Sequence, residues 1–464
     1  MSEILEGVLK EFEKIASIPR SSKCESAVAD YLVGRLEALG AEVMIDKTGN
    51  VIAETAASSQ EGEPLFALQA HMDMVCVSDG SRAYNPLTDG IELVRSGKYL
   101  KAKGTSLGAD DGIGIAIILY ILEHAEKEQI HTPLKVILTV DEEGGMSGAR
   151  ELSEKHLTDL KYLINIDSEN VDELVTGSAG SLRIEFKRKA KMTTSTKPRA
   201  FKLKISGLKG GHSGEAIGIP HANAIKVLAN VLRRLNCEVA SVKGGRAMNV
   251  IPSEAEAVVK LDPEDWGNIL KAFQDEIRSD FAEDSVNIKT SNVVEPPESV
   301  FTSESTQALL ELIDQLEDGV HDPETSANIG VLRASSKGIR IEYMPRFHSE
   351  AGREAMEKIA LTAAERNNFE VKMGEATPPW KSGKNRLAEC MKSIARQQGR
   401  ELTERVIHGG LECSYFSVKN PSLEIVSIGT TNLDIHSPKE RLLLSSVEPT
   451  VKLIAETLRR GVSE

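Results

Sequence analysis

The chain has 464 residues, a formal net charge of −14, 40% hydrophobic residues and 27% charged ones. This is ordinary globular composition, which excludes collagen-like, fibrous and disordered classes, and the length calls for more than one core. The acidic balance argues against nucleic acid and against an anionic membrane surface as partners.

In chain order, Ile4, Leu5, Val8, Leu9, Phe12 and Ile15 mark one face of a first helix. No basic start precedes an apolar core there, so no export signal is expected. Residues 25–39 read as a second helix stopped by Gly40, and 46–50 as a turn between two short strands. Residues 65–70 read as a buried strand, followed at once by His71 and Asp73. The longest apolar run, 113–122, is half the ~20 residues a membrane span needs and predicts a buried helix. Residues 134–140 and 162–166 are strand-like runs that end in acids. Strands alternating with helices predict an α/β domain on a mixed, mostly parallel sheet, with function beyond the carboxyl ends of its strands.

Near residue 180 the texture changes. Residues 182–186, 201–205, 255–261 and 339–343 alternate apolar with polar, the pattern of antiparallel strands with one wet face. Helices are predicted at 222–235 and 305–316. Residues 180–376 therefore read as an inserted α+β lid or dimerisation domain, and 1–179 with 377–464 as the catalytic domain. Thr377-Pro-Pro-Trp380 is the expected return hinge. The two helices could be corresponding elements of two related halves. That leaves open a dimer through this domain, or one chain whose second half stands in for a partner. A helix at 386–397, a Gly-rich loop, a strand at 423–428 and a closing helix complete the chain. Five scattered cysteines without a CxxC pair exclude a disulfide framework and point to a reducing, cytoplasmic compartment.

Five places put metal-ligating side chains beside predicted strand ends: His71-Met-Asp73, Asp110-Asp111-Gly112, Asp141-Glu142-Glu143-Gly144, Asp167-Ser-Glu169 and His436-Ser-Pro438. Singly, each has a plain alternative: a turn, a helix cap, a solvated strand end, a hydrogen-bonded histidine. Their joint occurrence in one framework favours a metal site. Residues i and i+2 of a strand share a face, so Asp73 can accept the second ring N–H of His71 and fix its tautomer. In Glu142-Glu143 the neighbours point in different directions, so one can bind metal while the other faces the activated water. The chain carries no GxSxG, Walker or dinucleotide fingerprint.

The stretches LQAHMDMV, GTSLGADDGIGIA, TVDEEGGMSGA, LINIDSE, GLKGGHSGEAIG, TSANIGVL, IHGGLECSYF and DIHSPKERL run through the whole chain. In that order they resemble the co-catalytic zinc peptidases, the family of aminoacylases, glutamate carboxypeptidases, tripeptide aminopeptidases and Xaa-His dipeptidases. Within it they look most like the aminoacyl-histidine, or cytosol nonspecific, dipeptidases. The resemblance implies a dizinc exopeptidase domain with an inserted lid. One zinc would be bound by His71 and Asp167, the other by Glu143 and His436, with Asp110 bridging and Mn or Co as substitutes. Glu142 would be the general base and Asp73 would orient His71. His212, Asn249, Arg346 and Glu412 resemble substrate contacts, Arg346 for a carboxylate and Glu412 for a free amine. Alternatives are a surface ion pair for Arg346 and a helix cap for Glu412. GIPHANA and Arg346-Phe-His-Ser depart from the family's usual letters, which bears on substrate preference. The implied activity is hydrolysis of unblocked dipeptides by a cytoplasmic homodimer. A tripeptide aminopeptidase, an amidohydrolase or a non-catalytic peptide-binding relative are the alternatives.

Overall fold

The computed structural model describes residues 2–55, 65–214, 216–235, 237–261, 266–281, 283, 285–381 and 383–462. The chain divides into two compact units: Met1–Gly177 with Trp380–Val406 and Leu411–Glu464, and Ser178–Pro379 with Ile407–Gly410. The second unit thus takes in a short loop that the sequence reading assigns elsewhere. The cause is local: Arg346 donates to the His408 carbonyl at 3.0 Å, and Ser326 Oγ lies 3.4 Å from His408 Nδ1.

In the first unit, the Glu3–Ala16 helix is capped by the Ser2 hydroxyl and buries Val8, Phe12 and Ile15. It packs on the Ala109–Glu123 helix, which is buried without a break from Asp111 to Ile121 and lies against the central sheet. That explains the all-apolar letters of the run: it has no wet face. Among the described residues the sheet has nine strands. Eight follow the order Glu42–Ile45, Val51–Glu54, Leu134–Thr139, Leu65–His71, Leu160–Asn165, Glu424–Ser427, Glu173–Ser178, Trp380–Lys381, and Thr403–Ile407 also pairs with Glu173–Ser178. The central Leu65–His71 strand runs parallel to both neighbours, and Glu424–Ser427 runs parallel to Leu160–Asn165. The flanking pairs are antiparallel. Four parallel strands therefore deliver their carboxyl ends to one rim. A separate four-stranded sheet, which includes Asn432–Leu433 and Arg441–Leu443, presents the hairpin loop that carries His436.

The second unit holds a ten-stranded sheet among its described residues. Its order resolves into two β-α-β-β-α-β modules. One comprises Arg199–Ser206, helix Ala224–Leu235, Glu238–Gly244, Ala255–Leu261, helix Trp266–Phe281 and Asn287–Asn292. The other comprises Ile184–Arg188, helix Ser303–Gln315, Thr325–Ser335, Gly338–Phe347, helix Glu350–Arg366 and Glu370–Met373. They join edge to edge through Val242↔Ala334, Lys243↔Arg333 and Gly244↔Leu332. The helices expected at 222–235 and 305–316 hold the same topological position in the two modules.

Two glycines test this packing. A Cβ on Gly429 would lie 1.7 Å from the Ser168 carbonyl oxygen, whereas one on Gly34, inside the Ser26–Ala38 helix, meets nothing within 4 Å. Gly429→Ala is expected to destabilise by about 1–3 kcal/mol, and Gly34→Ala to stabilise by about 0.5–1 kcal/mol. Urea denaturation midpoints that move together for both variants would contradict the packing.

Candidate active site

The Leu65–His71 strand ends in His71, whose Nε2 lies 2.9 Å from Asp110 Oδ1 and 3.6 Å from Asp167 Oδ1. The other ring nitrogen, Nδ1, lies 3.3 Å from Asp73 Oδ1 and 3.1 Å from the Asp73 carbonyl oxygen. Asp110 stands in the first turn of the Ala109–Glu123 helix, and the Asp110–Asp111 peptide is cis. Its Oδ2 lies 3.0 Å from His436 Nε2, which is also 2.8 Å from Glu143 Oε1. Three groups of ligand atoms each gather within 4.8 Å: His71, Asp110 and Asp167; Asp110, Glu143 and His436; and His71, Glu142 and Glu143. Asp110 belongs to two of them.

The sequence reading places Glu142 at a strand end; it lies instead in a helical turn, Glu142–Gly145. Asp141, in the left-handed region at φ 58°, breaks the strand and starts the turn. His436 is left-handed too, at φ 56°. Such backbone costs free energy and persists only where surroundings enforce it. At the turn that follows Asp141, Asp73 does so: its carboxylate accepts the N–H groups of Glu142 and Glu143 at 3.0 and 3.2 Å and the Ser22 hydroxyl at 2.7 Å. An anion at the start of a turn satisfies donors that have no helical partner.

Several supporting residues escape sequence reasoning. Arg20, buried at 1% exposure, donates to the carbonyls of Met72 and Asp73 at 2.9 and 2.8 Å and to that of Gly108. Glu440 accepts Leu107 and Ala109 N–H, each at 2.8 Å, and Glu25 accepts Asp141 N–H at 2.9 Å. Together they tie the segments carrying His71, Asp110 and Glu142 to one another. Glu440 sits inside the DIHSPKERL stretch, which is its only sequence signal; Arg20 and Glu25 have none.

The electrostatics are those of acids crowded out of water. Burial, then Asp110, pushes Glu143 up to about 7, and burial pushes Asp167 up to about 6. Burial also raises Glu142 well above the usual carboxylate range, with Glu143 and Asp167 adding to it against the opposing charge of His71. For His436, burial opposes the charge but Asp110 and Glu143 outweigh it and hold the imidazole up at about 12. His71 is likewise driven up, burial being overcome by Asp110 and Asp167. Asp110 is pulled down, because the two imidazoles outweigh its burial. Crowding of this kind is what bound cations relieve.

In the second unit, His212 and Asn249 are neighbours, with Nε2 and Nδ2 3.3 Å apart, and the short strands Gly211–His212 and Val250–Ile251 pair. Arg346 is 5% exposed and donates to Ser213 Oγ at 3.3 Å and to the His408 carbonyl, so it is not a surface ion pair. Glu412 requires a correction. The sequence reading makes it a contact for a substrate amine, but its side chain has no exposed surface. One carboxylate oxygen accepts Gln69 Nε2 and Thr139 Oγ1, both at 2.6 Å. It faces the interior of the first unit because it precedes the Cys413–Lys419 helix, which packs against Glu424–Ser427. Burial pushes it up to about 8.

Residues 67–460 match the model of peptidase family M20/M25/M40, and the chain belongs to that family. It is a peptide hydrolase. Among known proteins, the cytosol non-specific dipeptidase of Escherichia coli is 31% identical over 97% of this chain and 96% of that one. The crystal structure of aminoacylhistidine dipeptidase from Vibrio alginolyticus superposes with a TM-score of 0.80 at 30% identity, covering 100% of this chain and 99% of that one. The fold is also shared, at a TM-score of 0.50 and 14% identity over 99% and 98% of the two chains, by the Bacillus subtilis YXEP protein, described as a dinuclear metal binding peptidase from the M20 family.

The crowded carboxyls give metal-free protein a characteristic pH response. Asp167, Glu143 and Glu412 bind protons more tightly folded than unfolded. Their stabilising effect is full at low pH and is lost as pH rises from about 4 to about 8, and the raised imidazoles act in the same direction above about 6.5. In EDTA, the melting temperature is expected to fall between pH 5 and pH 8, and added Zn²⁺ to raise it more at pH 8 than at pH 5. A melting temperature in EDTA that climbs over this range would contradict the assignment.

Proposed function

We propose that this chain hydrolyses the peptide bond of unblocked dipeptides, Xaa-His among them, in the cytoplasm, using two zinc ions for which Mn or Co can substitute. The observation that carries the reading is the sharing of Asp110 between two donor groups, one with His71 and Asp167, the other with Glu143 and His436. Imidazole and carboxylate donors in these numbers suit Zn²⁺, and the Asp73 oxygens behind His71 suit the outer support that zinc-binding histidines have. When bound, the two ions supply Lewis-acid polarisation of the scissile carbonyl and acidify the attacking water.

Glu142 is the carboxyl left over from both ligand pairs. Its raised proton affinity suits a general base that takes a proton from water and passes it to the leaving amine as the C–N bond breaks. Asp73 holds the backbone of Glu142 and so fixes where that carboxyl starts. From the second unit, we assign His212, with Asn249 beside it, as a donor to the tetrahedral oxygen, and Arg346 as the partner of the peptide's carboxylate.

The names of the Escherichia coli and Vibrio alginolyticus relatives favour dipeptides over the longer substrates of a tripeptide aminopeptidase. A homodimer is the oligomeric state that the sequence resemblance implies. Within the second unit the Glu238–Gly244 strand is paired to the other module, and the outer strands of the sheet are Asn287–Asn292 and Glu370–Met373. Light scattering distinguishes one chain from two.

Kinetics on a dipeptide and tripeptide panel with defined metal tests the activity. Glu142→Gln is expected to lower kcat by about 10²–10⁴ while zinc content stays at the wild-type level. Full activity in this variant, or no cleavage of any panel member by metal-loaded wild type, would contradict the proposal.

A further inference from the structure

Directly behind the site lies a second, smaller polar cluster that the proposed reaction does not use. Gln69, Thr139 and Asn165 occupy three adjacent strands, and each stands two residues before a residue of the site segments: His71, Asp141 and Asp167. In the sheet register Gln69 is opposite Asn165 and His71 opposite Thr139. All three side chains are at most 1% exposed, among the buried apolar Leu68, Ala70, Val136, Leu138 and Ile164 of the same strands. Gln69 Nε2 donates to Glu412 Oε2 at 2.6 Å and to Thr139 Oγ1 at 3.1 Å. Thr139 Oγ1 donates to the same Glu412 oxygen, and Asn165 Nδ2 donates to Gln69 Oε1 at 2.5 Å. One carboxylate oxygen of Glu412 thereby gathers two strands directly and a third through Gln69.

Four enclosed polar side chains are costly beside an apolar alternative unless they have a task. Their place suggests which. Residues i and i+2 share a face, so Gln69 lies behind His71 along its strand. Asn165 stands two residues before Asp167, and Thr139 three before Glu142. The other Glu412 oxygen and Asn165 Oδ1 have no hydrogen-bond partner among the described residues, so a structural explanation from satisfied hydrogen bonds alone is incomplete.

We propose that Glu412 is a positioning residue: through Gln69, Thr139 and Asn165 it locks the carboxyl ends of three parallel strands in the register that brings His71, Glu142 and Asp167 together. Glu412 acts through these residues and does not touch substrate. The inference rests on the two-metal reading, and the experiment separates the two.

Full-length wild type, Glu412→Ala and Glu412→Gln are stripped of metal and titrated with Co²⁺, following the visible absorption that reports ligand geometry, and kcat and KM are then measured on a dipeptide. Hydrogen-bond accounting sets the expectation: a glutamine oxygen can accept both bonds that Glu412 Oε2 accepts, and alanine can accept neither. Glu412→Ala is expected to bind Co²⁺ about 10–100-fold more weakly, with a changed spectrum and a kcat loss of similar size, while KM moves less than about 3-fold. Glu412→Gln is expected to recover most of both losses. Two results would overturn the proposal: Co²⁺ binding and spectrum in Glu412→Ala equal to wild type, or raised KM with unchanged kcat and spectrum in both variants, the mark of a substrate contact. If Glu412→Ala does not fold, Thr139→Val takes its place, and unchanged Co²⁺ affinity there overturns the proposal equally. Wild type that binds no Co²⁺ would instead refute the two-metal reading itself.

Discussion

The arrangement depends on one side chain, the Asp110 carboxylate, lying between two imidazoles in a place that water barely reaches. Each of its oxygens has its own histidine, at 2.9 and 3.0 Å. Glu143 and Asp167 complete the two sides, and both are pushed towards protonation by burial. A protein core does not collect charges of this density for stability, because the desolvation of each is costly and mutual attraction only partly offsets it. The cluster makes physical sense as a receptacle for cations, with the carboxylates held ready and the imidazoles aimed.

Holding it ready is the work of a wider set of residues. The parallel strands bring His71, the Glu142 turn and Asp167 to one rim, which is where open α/β sheets offer unpaired backbone and room for ligands. Asp73 joins two of these segments, since it faces His71 and also caps the turn of Glu142 and Glu143. Arg20 joins the Met72–Asp73 backbone to Gly108, and Glu440 closes the other side of the segment leading to Asp110. Removing such a group leaves several buried carbonyls or N–H groups unpaired at once, so its effect is felt as geometry as well as stability.

The proposed ligands are legible in the letters as short local motifs: His71 and Asp167 follow apolar strand-like runs, and Asp110, Glu143 and His436 stand in acid- or glycine-containing turns. The strands and helices of the first unit are readable for the same reason, and the apolar run at 113–122 lies inside the Ala109–Glu123 helix. What was not legible depends on long-range contact. Arg20 reaches residues 52 and 88 positions away, and Glu440 residues 331 and 333 positions away, and no periodicity marks either. Glu412 borders a site-like motif, so its letters suggested a substrate contact, but enclosure is a tertiary property. Alternation located strands of the second unit without their order, because strand order is set by which distant edges pair. For that reason the doubled β-α-β-β-α-β plan emerged only from the pairing, and so did the attachment of Ile407–Gly410 to that unit.

The central claim is that Asp110 stands between two cations. The most direct measurement is an anomalous difference map at the zinc edge from crystals of the zinc-loaded enzyme. The account predicts two peaks per chain, one on each side of Asp110, the first against His71 and Asp167 and the second against Glu143 and His436. A map with no peak beside Asp110, or with zinc bound only elsewhere on the chain, would contradict it.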